Sequence, residues 1–212
     1  MTRTNHAAVF LAVFAISAPA AAQQTTRLES GVVAELNALR SDPGAYARKL
    51  RVYRAMIGPD GVRHDPGNPI GIRTFEGTAS VDEAIIALQK QAPLPPLTMD
   101  YQLVAVAQRY AAEQGRTGGT GHVSADGTTM AIRIGRGRTI SGALAETISY
   151  GEITPADVVR QLIIDDGVAS RGHRKILLSP EMRYVGVGCA PHPTYGFACV
   201  EDYSSETIPP VR

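Results

Sequence analysis

The feature that most restricts how this chain can fold is its pair of cysteines. Cys189 and Cys199 are the only two, and both lie within "YVGVGCAPHPTYGFACVEDY". Two apolar runs rich in valine and glycine flank a Pro-Gly-rich turn, the pattern of a β-hairpin. A hairpin centred near Thr194 sets Cys189 directly opposite Cys199, at a separation that a disulfide spans. The pairing requires an oxidising compartment; in a reducing one the two would be buried free thiols.

The N-terminus bears on that choice. "MTRTNHAAVFLAVFAISAPAAAQQ" has Arg3 in a short polar start, an uncharged apolar run from Ala7 to Ala18, and an alanine-rich site before Gln23. This is the layout of a secretory signal peptide over residues 1–22, with cleavage near Ala22. The apolar run is too short for a bilayer, which needs roughly 20 apolar residues, and no other stretch approaches that length. The expectation is a protein secreted to the periplasm or the medium, with no membrane span.

Loss of the leader removes Arg3 from 21 basic residues and leaves 20 against 20 acidic ones, with no dense run of either sign. Such a balance gives no attraction to nucleic acid or anionic lipid. Residues 23–212 suit one domain with a core of its own. The chain has no tryptophan, so that core is mainly aliphatic.

Helical signals dominate the first two thirds. Val32, Leu36 and Leu39 share one face, and "DPGAYARKL" restarts a helix with proline in its first turn. Residues 58–77, "GPDGVRHDPGNPIGIRTFEG", form a Gly/Pro-rich loop with a short extended piece near Ile70 to Phe75. Ser80 with Glu83 reads as a capping box opening a further helix, which "PLPPL" stops. "TMDYQLVAVAQRYAAEQG" is strongly amphipathic, with Gly115 as its expected end. "GTTMAIRIG" suits one or two helical turns, and "GALAETISYG" fits a short helix or an extended segment. Thr154, Pro155 and Asp157 define a helix start, and "ASRGHRKILLSP" reads as a short helix ended by Pro180. Helices around a small antiparallel sheet make an α+β fold.

For chemistry, neither H-E-x-x-H nor G-x-S-x-G is present. "GRGRTISG" lacks the lysine of a phosphate-binding loop and reads as a flexible basic loop. Asp165 and Asp166 in "IIDDG" read as helix-end and surface acids. His64 and His192 read as exposed loop residues. His122 in "GTGHVSADG" and His173 in "SRGHRK" differ, because each sits in a short segment of glycine and charge.

In order, "ELNALRSDPGAYARKL", "LPPLTMDYQLVAVAQRYAAEQG", "TGHVSADG", "LAETISYG" and "RGHR" before "GVGC" resemble the bacterial branch of the CAP superfamily. This is the family of cysteine-rich secretory proteins, antigen 5 and plant pathogenesis-related proteins. The resemblance runs from about Val32 to Tyr203. It implies an α-β-α sandwich with a three-stranded antiparallel sheet between helical layers, and a cleft lined by two histidines and two acids. His122, Glu146 and His173 match three of these, and Asp126 is the nearest candidate for the fourth. "AET" stands where G-E-N is usual, so Thr147 replaces asparagine, and the tryptophan often found upstream of the second histidine is missing. The loop at 58–77 is an addition expected to roof one end of the cleft.

Two neutral imidazoles can bind zinc or another divalent metal, with a carboxylate orienting them. The first expectation is a recognition protein of the envelope or exterior, whose partner is a lipid, a wall component or a protein. The alternative is a metal-assisted hydrolase, most plausibly a peptidase, with His122 and His173 as ligands and Glu146 as general base. Ser124, two residues after His122, is the one conceivable nucleophile, although hydrogen bonding within its own loop suits it better.

Overall fold

The computed structural model describes residues 17–67 and 70–210, the first six of these by backbone alone. Most of the leader read at 1–22 therefore lies outside the described residues. The apolar stripe of Val32, Leu36 and Leu39 lies on helix α1 (Ser17–Ser41), and all three are fully buried. Asp42 caps helix α2 (Pro43–Arg54) by accepting from Ala45 N at 2.7 Å, with proline in the first turn as expected.

The Gly/Pro-rich segment that follows carries a two-stranded antiparallel ribbon, β1 (Val62–Arg63) with β2 (Ile72–Arg73). Helix α3 (Ala79–Lys90) then starts after Thr78, but the capping box expected at Ser80 does not form. Ser80 Oγ donates instead to Asp166 at 3.0 Å, and Glu83 pairs with Arg171 at 2.7 Å. Long-range polar partners outcompete the local cap.

Strand β3 (Thr98–Met99) leads into helix α4 (Tyr101–Thr117), whose Asp100 cap accepts from Gln102 N and Leu103 N. The helix runs through Gly115 and ends at Gly118, a left-handed residue at φ 73°. Gly115 serves packing: a Cβ there would lie 2.3 Å from Pro191 O. Helix α5 (Met130–Gly135) is the short helix expected, and the ambiguous "LAETISY" is strand β4 (Leu144–Tyr150). Helix α6 (Pro155–Ile164) has its Thr154 cap, and helix α7 (Gly172–Leu177) precedes the hairpin of β5 (Tyr184–His192) and β6 (Gly196–Ser204). Cys189 and Cys199 are register partners in that hairpin and are joined by a disulfide.

The sheet has four strands in the order β3-β5-β6-β4, not three. β4, β6 and β5 form the antiparallel set, and β3 adds to it in parallel along β5. Its two residues follow "PLPPL", whose prolines hide any strand signal. One face carries α1 and α6, where Val32, Leu36, Val158 and Ile163 pack with Cys199 and Tyr203. The other carries α4, where Ala107, Tyr110 and Ala111 pack with Ile148 and Val200. No described helix is long and apolar enough to cross a membrane.

Two contacts fix the layers. Arg40 is fully buried with no carboxylate partner, and donates to the carbonyls of Pro95, Leu177, Ser179 and Met182 at 2.9–3.1 Å. Burial pushes its guanidinium below the ordinary value. On the opposite face α4 rests on β5 at Gly186 and Gly188, where a Cβ would lie 2.1 Å from the backbone nitrogens of Val104 and Gln108. Gly188→Ala forces helix and strand apart, and overpacking of this kind costs about 1–3 kcal/mol or more. The expected result is a lower urea midpoint with an unchanged slope; an unchanged midpoint contradicts the contact.

Candidate functional site

His122 follows Gly121, and three side chains clamp that glycine. Gly121 O accepts from Tyr110 Oη at 2.6 Å and from Gln114 Nε2 at 2.8 Å, while Gly121 N donates to Tyr150 Oη at 2.8 Å. Its φ of 81° suits glycine. The anchors belong to α4 and β4, so the packed layers hold the loop in place. Val123 bridges Thr129 across the loop, and the His122 carbonyl accepts from Arg133 at 3.0 Å.

The His122 side chain is half exposed, and its Nδ1 lies 2.8 Å from Oε1 of Glu146, whose side chain is 1% exposed. Glu146 Oε2 accepts from Arg133 Nη2 at 2.6 Å, so both carboxylate oxygens are occupied. Arg133 stacks over the Tyr110 ring at 3.4 Å. Cation, carboxylate and imidazole thus form one chain from core to surface.

His173 is held in the same manner from the other layer. Its Nδ1 is 2.7 Å from Oδ1 of Asp165, which is fully buried. Asp165 Oδ2 accepts from the backbone nitrogens of His173 at 2.9 Å and Arg174 at 3.3 Å. Asp165 caps α6 in the left-handed conformation, at φ 60°. A carboxylate oxygen accepts, so each Nδ1–H donates, and among the described residues each Nε2 has no protein partner. The two ring centroids are 6.4 Å apart.

The structure therefore brings His122, Glu146 and His173 together, with Asp165 as the fourth member. Asp126 is placed elsewhere: it is exposed and accepts from Thr128 N within its own loop at 2.9 Å. Ser124 is buried, and its Oγ accepts from Arg133 at 3.3 Å instead of engaging His122. His192 is not an exposed turn residue. It is buried, with Nε2 3.0 Å from Gly119 O and Nδ1 accepting from Thr194 N and Tyr195 N. The sequence reading missed Asp165 and Arg133. The available signal for Asp165 was the buried run Val158, Val159, Leu162, Ile163 and Ile164, which turns the next residue inward.

Asp166 takes a different role. It accepts from Phe75 N, Glu76 N and Ser80 Oγ at 2.8–3.0 Å, and Glu76 makes a two-pronged ion pair with Arg171. That pairing holds the Glu76 carboxyl down at about 2. The end of the 58–77 loop is thereby fastened beside His173, and Ile72, Thr74 and Phe75 share a cavity of about 310 Å³ with it.

The sequence profile of the cysteine-rich secretory protein family (CAP) matches residues 33–203. The chain belongs to this family. Solved structures similar to this CAP domain include an extracellular SCP-domain protein from Bacillus anthracis, at 23% identity and a TM-score of 0.46, covering 58% of this chain and 37% of the other. An outer surface protein from Borrelia burgdorferi is 22% identical with a TM-score of 0.44, covering 52% of this chain and 78% of its own. The CAP domain thus spans well under half of the Bacillus chain. No curated protein matches it.

Beneath the tetrad the sheet carries two further acids. Asp202 is paired in register with Glu146, and Glu201 with Thr147, whose hydroxyl donates to Glu201 Oε2 at 2.7 Å. Burial, and then the Glu146 charge, raises the Asp202 carboxyl well above its ordinary value; burial likewise raises Glu201. An unfolded carboxyl ionises near pH 4. The neutral, buried Asp202 therefore contributes stability that is fully present below that pH and is lost as pH rises towards its folded value. Asp202→Asn is expected to match the wild type in urea midpoint near pH 4 and to exceed it at pH 8. A difference that does not change with pH counts against this account.

Proposed function

We propose that this CAP domain is a recognition module of the cell exterior or envelope whose His122–His173 cleft binds zinc or another divalent metal. Its partner would be a lipid, a wall component or a protein. The observation that supports this most is the matched pair of imidazoles, each fixed through Nδ1 by a buried carboxylate, with no partner for Nε2 among the described residues. Carboxylate–histidine pairing is the arrangement that sets tautomer and ring orientation for metal binding.

The donors that this cleft would offer a metal are two imidazole nitrogens, on rings whose centroids are 6.4 Å apart. Among the described residues no group of three or more histidines, cysteines and acids is arranged around one metal position. A bound metal would leave positions open for water or for a donor atom of the partner, and would supply Lewis acidity there. His122 and His173 would hold it; Glu146 and Asp165 would orient the rings, and Arg133 would orient Glu146.

A metal-assisted peptidase remains the second reading, favoured by the same pair of rings. Both oxygens of Glu146 are taken, by His122 and Arg133, which suits a positioning residue better than a general base. Neither imidazole is hydrogen-bonded to a hydroxyl or thiol among the described residues, so no serine or cysteine nucleophile is prepared.

Calorimetric zinc titration at neutral pH tests the reading. One-to-one binding is expected, and His122→Ala and His173→Ala should each remove it while leaving the fold intact. An absence of binding in the wild type overturns the metal. Casein turnover that is abolished by chelator would move the conclusion to the peptidase.

A further inference from the structure

Behind the His122 loop lies a second cavity, of about 380 Å³, whose lining includes neither imidazole. Four arginines line it: Arg109 from α4, Arg133 from α5, and Arg136 and Arg138 from "GRGRTISG". That segment reads as a flexible basic loop in the sequence, but the structure places both of its arginines in the lining of one cavity. Arg109 projects from the same α4 stripe as Val106, Tyr110 and Glu113, spaced at i, i+3, i+4 and i+7.

The charge in this cavity is not balanced. Arg133 is committed to Glu146. Arg138 is held in place by neutral acceptors only: Pro209 O at 2.7 Å, Ile134 O at 3.0 Å and Gln102 Oε1 at 2.9 Å. Among the described residues no carboxylate lies within salt-bridge distance of Arg109, Arg136 or Arg138. The two acids of the cavity, Glu113 and Asp126, accept from Ala125 N and Thr128 N at 2.9 Å, and the Arg136 charge helps to hold Asp126 ionised, but four arginines still face these two carboxylates. Burial, and then the Arg109 charge, lowers Arg138 against an opposing pull from Asp100, so the two guanidiniums feel one another. Like charges held together by rigid neutral contacts are relieved by a bound anion.

We infer that the cavity formed by Arg109, Arg136 and Arg138 is a binding site for a phosphate-type oxyanion, carried as a free phosphate or phosphomonoester or as the phosphodiester of a lipid headgroup. Guanidinium forks match the geometry of phosphate oxygens and bind them through paired, charge-assisted hydrogen bonds. Arg138 supplies a fixed wall, and Arg109 and Arg136 are exposed and free to close on the ligand. The three proposed ligands touch neither imidazole; Arg133, committed to Glu146, is the wall this cavity shares with the proposed metal cleft.

The test titrates the chain with inorganic phosphate and with glycerol phosphate by calorimetry, and measures sedimentation with phosphatidylcholine vesicles containing phosphatidylglycerol. Arg109→Ala/Arg136→Ala is compared with Arg48→Ala/Arg51→Ala, which removes equal charge from the exposed face of α2. The expected result is binding to one source or both that falls at least about tenfold in the first variant only, and that weakens as salt shortens the reach of the charges. Phosphate binding identifies a small oxyanion, and vesicle binding alone identifies a headgroup. Absence of binding to every ligand, or equal loss in both variants, overturns the site. Zinc titration of Arg109→Ala/Arg136→Ala, expected to be unchanged, keeps this result separate from the metal cleft.

Discussion

The site depends on how closely α4 approaches β5. At Gly186 and Gly188 the helix backbone lies where side chains would otherwise stand, and that contact sets the height of α4 above the sheet. Tyr110 and Gln114 project from the helix at that height and seize Gly121, together with Tyr150 of the sheet. His122 is therefore positioned by packed secondary structure, although it sits in a loop. The opposite layer acts through α6, whose apolar face buries its last turn and carries Asp165 inward to meet His173. Each layer contributes one acid–imidazole pair, and the two pairs meet where the layers come together.

Much of this was legible in the residues and some was not. Helical periodicity located α1 and α4 because each has a single buried stripe, and α6 was located by its Thr154–Pro155 start. The hairpin was legible because its turn chemistry fixes a register that sets Cys189 against Cys199. β4 was ambiguous for a physical reason: Glu146, Thr147, Ile148 and Ser149 are all buried, so the strand shows no polar alternation. Of the tetrad, His122, Glu146 and His173 could be matched by resemblance. Asp165 could not, since an acid at a helix end beside another acid has the appearance of a solvated cap. Arg133 was hidden in an ordinary helical turn, and its role exists only once β4 is placed beside it. The capping box at Ser80 was a correct local pattern that lost to partners about ninety residues away.

The interior carries more ionisable groups than an aliphatic core would suggest. Arg40 is enclosed without a counter-ion and is satisfied by four carbonyls, one before β3 and three between the end of α7 and β5. Such a residue ties α1 to two connections at once, and its removal would leave those acceptors buried and unpaired. On β6, Glu201 and Asp202 are buried side by side in sequence but face opposite layers, one towards Thr147 and the other towards Glu146. The sheet thus transmits the electrostatics of the site into the core instead of insulating it.

Asp165 and Asp166 are neighbours with separate destinations. The first orients an imidazole; the second receives the end of the 58–77 loop. Because successive residues here point in different directions, the segment between Ile164 and Gly167 works as a fixed-length junction. Deleting one residue would present the wrong carboxylate to each client at once, misaligning His173 and releasing the loop in a single step. The length of this two-residue spacer therefore matters as much as its chemistry, and the wall beside the cleft cannot be shifted without the histidine registering it.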